Sequence, residues 1–259
     1  MKEITIAESD IDAVVAWIAE HAEHLSNKTR DEEESLPPAI KVIRCVLSLR
    51  TSYDRVVRRR EKTFQEAHPN LKQVTALEAL IASYPNPYEF MKQELEFYSE
   101  RKAIMLQQVV QYVCKIVQKT PSIPEGESLK IWAIQATPQD CYSLDIKYFK
   151  VAGFQYLRML FGADTTKPDM HIINLLSDLL CRDVSAIESI LLLEESSKRV
   201  GLSVRDVDAY IWEIGARPQQ NNFDKNLVRL DPDVAAAFPN EEAVNEVLRS
   251  LLKERNKEK

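Results

Sequence analysis

One carboxylate of the 259-residue chain stands where it could act on something beyond its own fold. In Lys167-Pro168-Asp169-Met170-His171 the aspartate enters the first turn of a helix directly after a Lys-Pro pair. Free backbone amides and the helix dipole favour a negative charge there. The same position also suits an aspartate that only stabilises its helix. A second feature is a reversal of charge along the chain. Residues 1–35 hold three basic against ten acidic residues, a net of −7. Residues 41–62 (Lys41, Arg44, Arg50, Arg55, Arg58, Arg59, Arg60 and Lys62 against Asp54 and Glu61) come to +6. The overall charge of −6 speaks against a nucleic-acid partner, whereas the mapped charge describes a polarised molecule. A solvated helix face laced with Arg and Lys is the ordinary source of such a run.

Other reactive residue types offer less. Cys45, Cys114, Cys141 and Cys181 form no C-x-x-C pair, and each sits among apolar neighbours. They read as small buried hydrophobes of a reduced cytosol. His21 and His24 could share a metal from one helix face, but no third ligand is near, so no metal or other cofactor is expected. The chain has 5 glycines against 12 prolines, where ordinary usage would give roughly 18 glycines. Turns with positive φ must be few, which argues against sandwiches, barrels and glycine-rich nucleotide loops. No apolar stretch approaches the ~18 residues of a membrane span, and Met1–Ile6 lacks a signal-peptide core, so a cytoplasmic protein without membrane contact is expected.

The elements that must position these residues are helical. Ile11, Val14, Val15, Ile18 and Ala22 share a face over residues 9–25. Pro37 and Pro38 open a helix to about Ser48, and Thr51 or Ser52 caps the next, which His68-Pro69-Asn70 ends. Thr75-x-x-Glu78 reads as a capping box, and Asn86-Pro87 opens a short helix. Residues 97–118 carry the broadest apolar stripe. Helices are expected near 126–136, 138–149 and 151–161, from Pro168 to about Cys181 and from about Val184 to Val200, with Gly201 as C′ residue. Ser203-x-x-Asp206 caps one more, which Gly215 ends, and a polar linker follows.

Two stretches carry a resemblance. Pro38 to Ser52, with its Leu47-Ser48-Leu49-Arg50-Thr51 run, and Val151 to Gly162 with the Lys167–His171 loop resemble the helix-hairpin-helix DNA glycosylase superfamily, the endonuclease III fold. The similarity runs from roughly Leu36 to Gly215 and is weakest between 120 and 150. It implies an all-α, two-lobed fold in which residues 1–36 and 163–217 form a terminal lobe and 37–162 a central lobe with the hairpin. It further implies DNA as partner, Asp169 in the catalytic position and Arg50 as the side chain that fills the stack left by an extruded base. A fixed carboxylate would stabilise the positive charge that builds on the sugar as an N-glycosidic bond breaks, or orient a water. Extrusion costs a few kcal/mol, which a planar cation can partly offset by stacking. Ser52, Arg55, Arg58, Arg59, Lys150, Gly153 and Lys167 are the further expected DNA contacts.

The sequence departs from the family where the hairpin should hold a phosphate: Phe149-Lys150-Val151-Ala152-Gly153 has one glycine, and no iron–sulfur cysteine quartet is present. Counting back from Phe161-Gly162 puts Val151 at the Schiff-base lysine of bifunctional members, with Lys150 one residue and about 100° away. Excision without a lyase step is therefore expected, or else a non-catalytic, antitoxin-like DNA-binding protein on the same scaffold; a helical interaction protein without nucleic acid is the third reading. The tail, residues 218–259, reads as a linker and a short strand-helix appendage. Leu227–Leu230, the turn Asp231–Val234 and Val244–Arg249 are similar to ribbon-helix-helix modules, which implies a homodimer through residues 225–255 with Lys225 and Arg229 toward DNA. An arm that packs on the main domain or on a second copy would read the same way.

Overall fold

The computed structural model describes residues 6–25 and 35–216, and every regular element among them is helical. Helix α1 (Glu8–His21) ends in a tight turn at Ala22–His24. Pro38 at the first position starts α2 (Pro38–Ser48). Ser52 caps a π turn (Tyr53–Val57) that runs into α3 (Arg58–Ala67). Helices α4 (Val74–Ala82), α5 (Pro87–Leu95), α6 (Glu100–Gln118) and α7 (Glu125–Gln135) follow. A 3-10 turn (Pro138–Ser143) precedes α8 (Val151–Leu160), α9 (Met170–Leu180), α10 (Ala186–Val200) and α11 (Val204–Ala216).

Two apolar cores form. The first joins α2 to α8 through Ile43, Leu47, Phe64, Leu77, Phe90, Leu106, Val109, Phe154 and Leu157. The second joins α1, α9 and α11 through Val14, Ile18, Ile172, Leu176, Val207 and Ile211. Helix α10 serves both, with Ile187 and Ile190 in the first and Leu192 and Leu193 in the second. Each such side chain removed from water contributes about 1.5–3 kcal/mol, so α10 locks the two cores together. Acidic α1 packs along α10, where Arg199 pairs with Glu8 and Arg182 bridges Asp10 and Glu188 at 2.6 and 2.5 Å. Part of the N-terminal negative charge is thus spent inside the fold.

Several local expectations are corrected. Residues 138–149 form no helix beyond the 3-10 turn: Asp140 closes a capping box on Thr137, Leu144 is extended, and a turn at 147–148 follows in which Tyr148 is left-handed at φ 66. Thr75 and Glu78 form no capping box. The Glu125 carboxylate, 51 residues away from Val74, accepts the Val74 amide at 2.6 Å and the Thr75 amide at 3.5 Å. Asp164 likewise reaches α11, its Oδ1 accepting from the Ser203 hydroxyl at 2.5 Å and the Arg205 amide at 3.1 Å. Helix α11 continues through Gly215, where a Cβ would stand 2.5 Å from His171 Nδ1. The glycine makes room for a ring one residue before Ala216, where the described helix stops. Cys45, Cys114 and Cys141 are buried, but Cys181 is exposed, in a left-handed cap of α9 at φ 52. Gly201 does end α10, at φ 76.

The chain separates into Met1–Ala216 and Arg217–Lys259. The strand-helix tail with Lys225 and Arg229, and the pairing expected through residues 225–255, lie outside the described residues. No helix among the described residues is long and apolar enough to cross a membrane.

Candidate functional site

Arg50 projects from the end of α2. Leu49 is extended, Arg50 is left-handed at φ 55, and the Ser52 hydroxyl accepts the Arg55 amide at 3.5 Å. A non-glycine residue in this region is strained and needs support from its surroundings. Lys102 of α6 supplies it: its Nζ donates to the Leu47 carbonyl at 2.5 Å and the Thr51 hydroxyl at 2.7 Å, and lies 4.9 Å from the Phe97 ring centre. Burial, with the charge of Lys167 adding, pushes the Lys102 ammonium down to about 8.

The basic run divides into three parts. Arg44 is buried, donating Nε and Nη2 to Glu61 at 2.8 and 2.6 Å. Burial opposes its charge, but the Glu61 carboxylate overrides it and holds the guanidinium above its ordinary range. Arg59 pairs with Glu96 at 3.0 Å, Lys62 with Glu66 at 3.8 Å, and Arg60 donates to the Glu96 and Val56 carbonyls. Arg50 and Arg55 are exposed and make no side-chain bond or ion pair among the described residues.

The π turn gives this surface a second property. Its last bond runs from the Arg58 amide to the Tyr53 carbonyl, which brings residues five apart onto one face. The Tyr53 ring accordingly meets Arg58 at 5.5 Å and Arg44 at 5.0 Å. Beside them opens a cavity of about 380 Å³ lined by Arg44, Tyr53, Arg58, Glu61, Lys62, Gln65 and Glu66.

Asp169 caps α9. Its Oδ1 accepts the amides of His171 at 2.9 Å and Ile172 at 3.3 Å. Its Oδ2 has no hydrogen-bond partner among the described residues, and the residue is half-buried. The neighbouring Met170 is 74% exposed. The loop before it is bonded from three helices. Thr165 accepts from Gln155 at 2.7 Å and donates to Glu194 at 2.6 Å, while Gln155 accepts from Arg158 at 2.7 Å. The Thr166 hydroxyl and Lys167 amide donate to Asp208 at 2.5 and 2.8 Å. Burial, reinforced by the Asp169 charge, raises Asp208 to about 7. The Lys167 ammonium sits 4.5 Å over the Tyr156 ring. Its charge also reaches Cys45, whose thiol burial pushes up to about 12 against the pull of Lys167 and Lys102. Lys167 thus packs the Asp169 loop against α8 through Tyr156.

The hairpin is built differently from the expected phosphate turn. Lys150 is exposed and immediately precedes α8. Gly153 is buried in the first turn of α8: a Cβ there would stand 2.7 Å from the Phe149 ring and 3.1 Å from Leu49. It holds α8 against the Arg50 loop and faces no solvent. Val151 is also buried. His21 Nδ1 donates to the Trp17 carbonyl, 2.8 Å away, and its ring stacks on Trp17, while His24 stacks on Tyr210.

The partners missing from the sequence reading are Lys102 and Asp208. Each falls on an apolar stripe, Lys102 with Leu106, Val109 and Val113, and Asp208 with Val204, Val207 and Ile211. A charge on such a stripe is the signal that could have found them.

Residues 12–216 match the family model described as Domain of unknown function (DUF8548), and the chain belongs to that family. No curated protein and no solved structure matches it.

Proposed function

We propose that the chain binds DNA through the Arg50 loop and, on a two-lobed endonuclease III-like scaffold, releases a base without a lyase step. Arg50 fills the stack, Arg55, Lys150 and Lys167 meet phosphate, and Asp169 stabilises the oxocarbenium character of the sugar. The observation that carries this reading is the geometry of Asp169, anchored through Oδ1 on two amides with Oδ2 left unbonded among the described residues. The buried Val151 supports hydrolysis alone, since no lysine occupies that place. A panel of duplexes bearing uracil, alkylated or oxidised bases is the test. Base release by the native protein, reduced about 100-fold or more in Asp169→Asn, is the expected result; no release on any duplex rejects the enzyme.

Burial of Gly153 favours a second reading, DNA binding without catalysis, because the hairpin then lacks the family's phosphate-holding turn. It predicts DNA affinity whose salt slope falls by about 0.9 in Arg55→Gln, with no base release. Pairing through residues 225–255 belongs to either reading and is checked by mass in solution with and without residues 222–259.

A further inference from the structure

Between the 3-10 turn and α8 one large ring is left outside. Phe149 is buried against Gly153, while Tyr148 is 53% exposed. Tyr148 also occupies the left-handed region at φ 66, which costs a residue with a Cβ. Arg101, in the first turn of α6, lays its guanidinium 5.5 Å from the Tyr148 ring centre. The ring makes no other ring contact or hydrogen bond among the described residues. Lys147 is fixed by its amide on Gln108 Oε1 at 2.8 Å, and its side chain and that of Lys150 are exposed on either side. Tyr98, 70% exposed, lies just before α6. Asp145, Glu96 and Glu100 are the nearby acids in sequence, and Glu96 is already paired with Arg59, which leaves Asp145 and Glu100 against Arg101, Lys147 and Lys150. This surface adjoins the Arg50 loop, because Lys102, next to Arg101, is bonded to Thr51.

We propose that Tyr148 and Arg101 form a platform that receives an unpaired nucleobase, so that the protein prefers DNA with a bulged or single-stranded nucleotide. The proposal rests on the reading of the chain as a DNA-binding protein and adds the form of DNA it selects. A base inside a duplex is covered on both faces by its neighbours; an unpaired one offers a π-face for stacking. A tyrosine backed by a guanidinium presents a matching flat surface. The flanking lysines attract the phosphates that accompany the base. An apolar protein partner would instead meet a ring bordered by hydrated charges.

The test measures affinity of the full chain for a duplex with a single-base bulge and for the same duplex fully paired. Tyr148→Asn removes the ring while keeping a residue that accepts left-handed backbone, and Tyr148→Phe keeps the ring. The expected result is a loss of about ten-fold on the bulged duplex for Tyr148→Asn, under about two-fold on the paired one, and retention in Tyr148→Phe. Arg101→Gln falls between them. Equal losses on both duplexes, or none on the bulged one, overturn the platform while leaving DNA binding in place. Native protein that binds neither duplex overturns the platform and the DNA reading together.

Discussion

The loop that leads to Asp169 and the loop that carries Arg50 are held in opposite ways. From Asp164 to Thr166 every side chain of the first is bonded to a helix, Thr165 to α8 and α10 and Asp164 and Thr166 to the start and body of α11, and Lys167 is held through its backbone. The second receives side-chain hydrogen bonds from outside through one residue, Lys102, and its exposed Arg50 side chain has no partner among the described residues. A carboxylate that acts on a reacting sugar must sit within about 0.5 Å of its place. A cation that enters a stack must be able to move into it. The difference in support therefore matches the difference in the tasks proposed for the two loops.

The contrast can be broken at its strongest point first. Asp208→Ala leaves the Thr166 hydroxyl and the Lys167 amide unpaired and is expected to cost about 1–3 kcal/mol in urea unfolding. Asp208→Asn, which keeps an accepting oxygen, should cost less. A loss under about 0.5 kcal/mol in Asp208→Ala contradicts a rigid loop. Lys102→Met removes support for the Leu47 carbonyl and Thr51 hydroxyl and is expected to cost about 1 kcal/mol.

The two residues also differ in pH dependence. The folded-state value of Asp208 is raised from 3.8 to about 7, so between these the folded chain holds more protons and stability falls as pH rises. Lys102 is lowered from 10.5 to about 8, so between those values the unfolded chain holds more protons and stability rises with pH. Urea midpoints across both windows should show the first slope vanish in Asp208→Asn and the second in Lys102→Met. The smallest effect is expected at Arg50: Arg50→Ala should change stability by under about 0.5 kcal/mol while weakening affinity for DNA. A large loss of stability there would mean that the side chain is part of the scaffold.

Signals that act over a few residues were legible. Proline at the start of α2, Asn86-Pro87 before α5 and Gly201 after α10 constrain φ or satisfy nearby amides, and the elements begin and end there. Signals that depend on remote partners were not. The first α4 amides went to Glu125 rather than to a local cap, and Asp164 reached the Arg205 amide of α11, because the fold brings each carboxylate there from a remote stretch of chain. The same holds at the site. Residue types pointed to Asp169 and Arg50, but their supports come from α11 and α6, and Arg59 and Gly153 turned out to be occupied by Glu96 and by packing. Cys181 shows the limit of composition: apolar neighbours in sequence did not bury it, since α9 ends there.

The turn at Tyr53–Val57 makes chain length itself a determinant of the surface. A π turn holds about one residue more than an α turn. Deleting one residue between Tyr53 and Val57 is expected to let the segment close as ordinary helix with Tyr53 and Arg58 four apart and still only about 40° from one another, whereas the segment wound as an α-helix at its present length would point them about 140° apart. In that second winding the aromatic lid over the Arg44–Glu61 pair would open, although none of the residues that form that pair had changed.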